Sequence, residues 1–219
     1  MVNIKRIQEE YDELKILYRQ LTLVEHSNGN WMLLDYLAFR ADYGLKPIIE
    51  DGFHVDIDIP ATYPNDIPTV KEVGGRIPDD FHRNANGVLC LGLPIQVKRK
   101  FLTQPTLLNF ITSCLIPFLY SYSYFEKFGK MPFGEVAHGV PGLISGYKKE
   151  FGTNDILIVY RLMKYLCDYS YPGFDLCPCN SGKRLFECHG EKIMELKQLQ
   201  YPWQFLKERK QIEDFLQKA

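Results

Sequence analysis

The stretch FHVDIDIPATYPNDIPTV, residues 53–70, decides the fold of this chain. Apolar and polar side chains alternate over its first seven residues, which is typical of a β-strand with one buried face. Three prolines follow in quick succession, at positions 60, 64 and 68. Because proline fixes φ and has no backbone N–H to donate, we expect residues 60–68 to form a rigid extended segment at a sheet edge, called the proline flap below.

The sequence before and after this stretch predicts three further strands and an N-terminal helix. Asn28-Gly29 is a hairpin signal between strands at residues 21–25 and 31–39, and a short strand is predicted at 69–73. A helix is predicted before them, because apolar residues recur there every three or four positions. They are Ile4, Ile7, Tyr11, Leu14, Leu17 and Leu21.

The second half of the chain predicts mainly helices. A helical period begins after Pro105, and two more helical segments are predicted at about 155–168 and 191–218, the last broken at Tyr201-Pro202. Irregular loops are predicted for the two segments with many turn residues, 76–101 and 129–146. Strands first and helices afterwards predict an α+β fold, with a four-stranded antiparallel sheet packed with helices.

Composition excludes several classes of function. The formal net charge of −1 gives no basic excess, so nucleic-acid binding is not expected. The longest apolar stretch, residues 115–124, is too short to span a bilayer, and the charged residues 1–20 do not form a secretory signal. We therefore expect a cytoplasmic protein that does not enter a membrane.

The six cysteines fall into two sets. Three lie far apart in apolar sequence, and three are clustered beside a histidine. The separate residues are Cys90, Cys114 and Cys167, and the clustered ones are Cys177, Cys179 and Cys188, with His189. This distribution favours a protein with reduced thiols and one metal site over a disulfide framework. Cys114 and Cys167 lie in helical apolar patterns and are predicted to be core residues.

Two motifs in the first 125 residues are typical of one enzyme family. Residues 59–64, IPATYP, are followed by residues 82–84, HRN, and by residues 87–91, GVLCL, before the helix that begins near Pro105. This order resembles that of the ubiquitin-conjugating enzymes, with their Tyr-Pro flap, their His-Pro-Asn signature and their active-site cysteine. The resemblance implies a ubiquitin-conjugating (UBC) fold.

The resemblance also assigns roles to three residues. Cys90 would carry an acyl group as a thioester, since a thiol is both a nucleophile and a competent leaving group. Asn84 would stabilise the oxyanion that forms during attack, and His82 would hold the backbone of the loop. The alternatives from the residues themselves are a buried core cysteine at position 90 and a turn-capping asparagine at position 84.

The sequence departs from the family pattern in three ways. Arg83 occupies the usual proline position, and the interval between His82 and Cys90 is short. No Asp or Glu occurs between Cys90 and Phe125, where the family commonly places a residue that orients the acceptor lysine. Glu126 follows this interval, so the resemblance implies thioester formation on Cys90 but not transfer to lysine. The basic run at residues 98–100 is interpreted as a solvated loop, the alternatives being that it favours the thiolate or docks an acidic partner.

The cysteine cluster resembles a second known motif. CPCNSGK, residues 177–183, followed by Cys188-His189, is similar to the SEC-C motif found at the ends of many bacterial proteins. Three thiolates and one imidazole are the ligands of a closed tetrahedral zinc site, which is structural rather than hydrolytic. Ligands at the adjacent positions 188 and 189 require a sharp turn, and the alternative is another donor in place of His189.

Together, the two resemblances imply a bacterial ubiquitin-conjugating-like transferase. Residues 1–170 would form the catalytic domain, and residues 171–219 the zinc knuckle and a C-terminal helix. The resemblance implies a ubiquitin-like protein or the C-terminus of a cGAS-like cyclase as donor, with an activating enzyme as a further partner, in an antiphage or conjugation operon. The alternatives are a non-catalytic adaptor and a docking role for the knuckle. His138 could gate the site, although a loop histidine without an evident partner is usually not catalytic.

Overall fold

The computed structural model of the chain describes residues 4–26, 30–134, 139–170 and 172–218. The chain divides into two compact units, residues 1–135 and 136–219. The first unit contains the sheet and Cys90, and the second contains the cysteine cluster. The sequence motifs placed the boundary between the two domains at residues 170 and 171. The functions assigned to the two domains stay a prediction.

Five antiparallel strands form the sheet of the first unit within the described residues, which confirms the α+β class. They are β1 (Thr22–Glu25), β2 (Trp31–Leu34), β3 (Tyr36–Ala41), β4 (Ile49–Ile59) and β5 (Thr69–Glu72). Strand β4 is central, and it contains the alternating stretch that opened the sequence. Its C-terminal half pairs with both β2 and β5, while its N-terminal half pairs with β3.

The sheet has five strands rather than the predicted four because the strand expected at 31–39 is interrupted. Asp35 has a φ of 90°, a backbone conformation that is rare outside glycine. The register on β4 is nevertheless continuous, since Leu33 lies opposite Ile57 and Tyr36 lies opposite His54. The hairpin of β1 and β2 pairs as expected, while Asn28 and Gly29 lie outside the described residues.

The helices of the first unit precede and follow the sheet. They are α1 (Ile4–Leu17), α2 (Pro94–Leu102), α3 (Leu107–Asn109), a π-helical segment (Phe110–Leu115) and α4 (Ile116–Phe128). The N-terminal helix and the helix after Pro105 were predicted, but the irregular loop expected up to residue 101 is wrong from Pro94 onward. Its proline begins α2, a favourable first helical position. Nine residues are too few to show a clear helical period.

A buried carboxylate joins three parts of the first unit. Glu10 of α1 accepts hydrogen bonds from the Tyr63 hydroxyl of the proline flap and from the Leu107 amide at the start of α3 (2.8 Å). Arg6 donates to the same carboxylate (2.7 Å). Burial and the carboxylate together raise the pKa of Tyr63, so its hydroxyl stays a donor. The flap is therefore attached to the helices on either side of it in sequence.

The second unit is helical. It contains α5 (Gly139–Phe151), α6 (Ile156–Met163), a 3₁₀ turn (Leu185–Glu187), α7 (Gly190–Lys197) and α8 (Pro202–Leu216). The break at Tyr201-Pro202 was predicted, whereas the loop expected at 129–146 becomes helix from Gly139. Burial of Leu143, Ile144 and Tyr147 outweighs the low helix propensity of its glycines. None of the helices in the described ranges has the length and apolar character needed to cross a membrane.

Candidate functional site

Residues 82–90 form a short hairpin, called the Cys90 hairpin below. Arg83 lies opposite Leu89 in an antiparallel bridge. Two backbone hydrogen bonds flank this bridge, from the Asn84 amide to the Val88 carbonyl (2.9 Å) and from the Cys90 amide to the His82 carbonyl (2.7 Å). The turn closes through Gly87, whose φ of 80° is one that glycine adopts without strain.

The Cys90 hairpin extends the sheet beyond β5. Its second arm pairs with β5 through a bridge between Lys71 and Val88 and a hydrogen bond from the Leu89 amide to the Val70 carbonyl (2.8 Å). Leu89 is buried, while its neighbour Cys90 is partly exposed. The hairpin therefore has an inner face toward the core and an outer face toward solvent.

Asn84 and Cys90 belong to the outer face. Side chains of directly opposite residues in an antiparallel ladder share a face, and successive residues alternate. Arg83 and Leu89 are therefore on the inner face, and Asn84 and Cys90 are both on the other one. They are diagonal neighbours across the ladder, a relation that typically separates Cα atoms by roughly 7–8 Å.

The sulfur of Cys90 is not sealed in the core. Cys90 is half-buried, and its Sγ lies 3.8 Å from the carbonyl oxygen of Gly92, whose φ is 136°. Cys114 differs, because it is 4% exposed and burial raises the pKa of its thiol. The alternative of a buried core cysteine thus fits Cys114 but not Cys90.

The ring of His82 packs against aromatic residues of the core, and its backbone carbonyl accepts a hydrogen bond from Cys90. Its ring lies 4.7 Å from the ring of Phe81 and 5.9 Å from that of Phe118, between centroids. Its φ of 49° is left-handed, so the alternation of side chains along the ladder does not extend to His82, and its carbonyl accepts the Cys90 amide. These contacts suit a residue that holds the loop, and its role stays a prediction.

Two charged residues considered for the site, Glu126 and Lys98, instead contact other residues of the first unit. Glu126 forms an ion pair with Arg76, which also pairs with Asp51 (2.7 Å). The run at residues 98–100 lies in α2 and not in a loop, so that interpretation is wrong. Lys98 is largely buried and donates to the Asn65 carbonyl of the proline flap.

The cysteine cluster of the second unit brings four potential ligands together. The sulfurs of Cys177, Cys179 and Cys188 and a ring nitrogen of His189 all lie within 4.8 Å of one another. The Sγ atoms of Cys179 and Cys188 are 3.4 Å apart. Nδ1 of His189 lies 3.2 Å from the sulfurs of both Cys177 and Cys188. This group could hold a metal ion.

A second short ladder places the first two cysteines. Leu176 lies opposite Arg184, and the Cys177 amide donates to the Lys183 carbonyl (2.9 Å). The turn between them uses Asn180 and Gly182, with φ values of 65° and 73°. Asparagine and glycine are the residues that most readily adopt this conformation.

The sharp turn required for adjacent ligands is present at Cys188 and His189. Cys188 follows the 3₁₀ turn with a φ of −126° and a ψ of −87°, and His189 is the residue before α7. The unusual backbone of Cys188 aims its sulfur and the imidazole of His189 at the same point. His189 therefore lies in the cluster, as expected from the sequence.

The ring of His189 is oriented by a backbone carbonyl that sequence reasoning did not identify. Nε2 of His189 lies 2.9 Å from the backbone carbonyl of Phe151, and the two rings are 6.2 Å apart. A carbonyl only accepts hydrogen bonds, so Nε2 carries the proton and Nδ1 is left to bind a cation. A backbone carbonyl has no residue-type signal, which is why sequence reasoning missed it.

The thiols perturb one another strongly. Burial raises the pKa of Cys177. Burial also acts to raise that of Cys179, but hydrogen bonds from Ser181, Cys177 and Cys188 outweigh it and lower the pKa. Three adjacent thiolates would repel one another, so a cation among them is the chemistry that lets all three ionise.

Two other predicted residues remain outside these sites. Cys167 was predicted to be a core residue, but it is only half-buried. Its Sγ lies 3.1 Å from the Met163 carbonyl, and burial raises its pKa to about 11. His138 lies outside the described residues.

Comparison with known proteins identified no match to a protein-family model, to a curated protein or to a solved structure. The resemblance to ubiquitin-conjugating enzymes and to the SEC-C motif therefore depends on the sequence motifs alone.

Proposed function

We propose that this chain is a thioester-forming transferase of the ubiquitin-conjugating type, with Cys90 as its nucleophile. The observation that carries the proposal is that the half-exposed Cys90 and Asn84 share the outer face of one ladder. An accessible thiol with a side-chain amide nearby can carry out acyl transfer, because the thiol supplies the nucleophile and the amide supplies a donor for the oxyanion.

The arrangement of the first unit supports the same proposal. An N-terminal helix precedes an antiparallel sheet, the proline flap joins β4 to β5, and helices follow the Cys90 hairpin. The flap is attached through the buried Tyr63 and Glu10. The sequence predicted the order of helix, strands, proline flap and later helices, while the fifth strand and α2 were not predicted.

The reaction would proceed in two balanced steps. In the first, the thiolate of Cys90 attacks the carbonyl carbon of a donor's C-terminal glycine, held as an acyl adenylate or as a thioester on an activating enzyme. The S–C bond forms and the bond to AMP or to the enzyme's sulfur breaks. In the second, an amine attacks the Cys90 thioester, an amide forms, the thiolate of Cys90 leaves, and the amine loses a proton to solvent. The Asn84 amide would donate to the oxyanion in both steps.

The donor would be a protein with an exposed C-terminal glycine. Candidates are a ubiquitin-like protein and the C-terminus of a cGAS-like cyclase, in a bacterial antiphage or conjugation operon. The acceptor would be an amine on a second protein.

Intact-mass measurement of the chain from its native host, without reductant, tests this proposal. We expect a protein-sized adduct on Cys90 that is released by thiol, absent from Cys90→Ala, and stable to thiol as an ester in Cys90→Ser. Cys167→Ala is the matched control, because it removes another half-buried thiol and should leave the adduct unchanged. An adduct that survives Cys90→Ala would refute the assignment.

The second candidate is a non-catalytic adaptor that binds a peptide or a ubiquitin-like partner. It is favoured by the absence of Asp and Glu between Cys90 and Phe125 and by the ion pair that occupies Glu126. Full biological activity of Cys90→Ala, with no adduct on the wild-type chain, would select it.

For the cysteine cluster we propose a structural zinc ion. Three thiolates and one imidazole are the donor set that zinc prefers, and with four protein ligands no position stays open for catalysis. Zinc would supply charge neutralisation and a cross-link between the knuckle turn and the start of α7. One equivalent of zinc by elemental analysis, and thiolate-to-cobalt absorption after exchange into Co²⁺, would support this. Absence of both from freshly purified protein would contradict it.

A further inference from the structure

The inner face of the Cys90 hairpin carries a buried charge. Arg83 projects from this face, and its side chain is 11% exposed. Its Nη2 donates to the Glu72 carboxylate (2.8 Å) and to the Glu72 carbonyl (3.2 Å). Glu72 is the last residue of β5, so this arginine reaches beneath the second arm of the hairpin to the sheet.

Glu72 also organises the chain that follows β5. Its side chain is 1% exposed, and its carboxylate accepts the amides of Ile77 (3.1 Å) and Arg76 (3.4 Å). A Cβ on Gly74 would lie 2.8 Å from Oε1 of this carboxylate, so the turn is built closely around it. One carboxylate thus connects the sheet, the turn after it and the hairpin that bears Cys90.

Few other contacts of Arg83 could replace its ion pair with Glu72. Asp79 also approaches Arg83 (3.5 Å), but its side chain is fully exposed and such pairs contribute little. Within the described ranges, the Nε atom of Arg83 is buried without a hydrogen-bond partner. The guanidinium therefore relies on Glu72, and a buried charge that loses its partner is strongly destabilising.

We propose that Arg83 is a positioning residue that fixes the Cys90 hairpin on β5 through Glu72. Cys90 and Asn84 are on the opposite face of the same ladder, so a hairpin held from beneath keeps the thiol and the amide in a fixed relation. Arg83 does not contact the sulfur and is not itself catalytic. Its effect on acyl transfer rests on the proposed function, whereas its hold on the hairpin does not.

The test is a double variant, Arg83→Met with Glu72→Gln, in the full chain. It removes both buried charges together, which is far better tolerated than removing one, and glutamine keeps an acceptor for the Ile77 amide. The matched control is Arg40→Met with Glu50→Gln, which makes the same changes in an exposed pair of the sheet. Amide hydrogen exchange of Cys90 and Asn84, measured by NMR, reports directly on the hairpin.

We expect exchange at these two amides to accelerate at least about tenfold in the double variant, with no change at the Val55 amide of β4 or in the control. Alkylation of Cys90 by iodoacetamide should also become faster, relative to Cys167 of the same molecule. Unchanged exchange at Cys90 and Asn84 would overturn the proposal. Equal acceleration at Val55 would also overturn it, since the pair would then support the whole sheet.

The same variants separate this inference from the proposed function. If the wild-type chain forms no thioester, the function fails while hydrogen exchange still decides the role of Arg83. If the thioester forms, we expect its single-turnover rate to fall at least about tenfold in the double variant, with donor affinity unchanged. An unaltered rate despite a loosened hairpin would refute the positioning role.

Discussion

Cys90 and Cys177 both belong to short antiparallel hairpins, but different groups surround their sulfur atoms. Each lies next to an antiparallel bridge of a short hairpin and donates its amide across that ladder, although Cys90 lies beyond its bridge and Cys177 lies between its bridge and the turn. The sulfur of Cys90 is partly exposed and lies near a backbone carbonyl. The sulfur of Cys177 is buried and faces a histidine nitrogen and two other thiols. The groups near each sulfur therefore separate a candidate nucleophile from a candidate metal ligand.

The units that contain these cysteines are also stabilised differently. In the first unit, buried carboxylates such as Glu10 and Glu72 join elements through protein donors alone. In the second, the ligand cluster joins the knuckle to α7, and through His189 to the end of α5. Each prediction below should affect one of these regions and leave the other unchanged.

The largest effect is expected from Cys188→Ser, which removes one ligand of the cluster. Structural zinc sites contribute about 10–16 kcal/mol in small zinc domains, so most of the knuckle's stability should be lost. We expect the metal content to fall below stoichiometric and hydrogen exchange across residues 172–189 to accelerate, with the alkylation rate of Cys90 unchanged. Cys167→Ser is the control. Retention of a full equivalent of zinc would contradict the ligand assignment.

Glu10→Ala should produce the next largest effect, in the first unit. It leaves the Tyr63 hydroxyl and the Leu107 amide without their buried acceptor, and each unsatisfied buried donor typically costs about 1–3 kcal/mol. Urea unfolding followed by Trp31 fluorescence, in a Trp203→Phe background, measures this loss. Glu9→Ala, which removes an exposed neighbour on the same helix, should change the free energy of unfolding by less than about 0.5 kcal/mol. Equal effects would show that Glu10 is not a special contact.

Asn84→Ala should affect chemistry without affecting stability. Loss of an oxyanion donor lowers rates by about 100- to 1000-fold, or about 2.7–4 kcal/mol, while Asn84 is exposed and its removal should not unfold the hairpin. Single-turnover thioester formation gives the rate. Asn86→Ala is the matched control, since Asn86 lies in the same turn and its Oδ1 accepts the Val88 amide. A similar loss in both variants would indicate a role in the turn rather than in the oxyanion.

The smallest effect is a dependence of the first unit's stability on pH. Burial acts to raise the pKa of Asp51, but hydrogen bonds from Arg76, Ser123 and the Gly52 amide outweigh it and lower the pKa to about 2. The unfolded chain, with an aspartate pKa near 3.9, takes up its proton first. The contribution of Asp51, about 2 kcal/mol, is therefore complete above about pH 4 and is lost as the pH falls to about 2.

Asp51→Asn should flatten the plot of unfolding free energy against pH in that interval. Urea titrations at several pH values measure it, again with Trp31 as the probe. The same slope in the variant and the wild type would assign the acid sensitivity to other groups.

Short-range patterns of apolar and polar residues predicted much of the fold. Alternation over residues 53–59 predicted the central strand, and the recurring apolar residues of the N-terminus predicted α1. The break at Asp35 was not predicted, because an aspartate within a strand pattern does not indicate that its φ is positive. Likewise α5 was missed because its glycines and proline favour a loop, and burial of Leu143 and Tyr147 decides the outcome.

The candidate sites divide in the same way. Residue type and spacing by themselves determined that Cys177, Cys179, Cys188 and His189 form one cluster, since a turn of this length brings its ligands together. Tertiary structure alone decided which nitrogen of His189 faces the sulfurs, because Phe151 is 38 residues away. It also decided that Arg83 reaches Glu72 beneath Cys90. Local patterns extend over a few residues, whereas the partner of a buried polar group is set by where the folded chain returns.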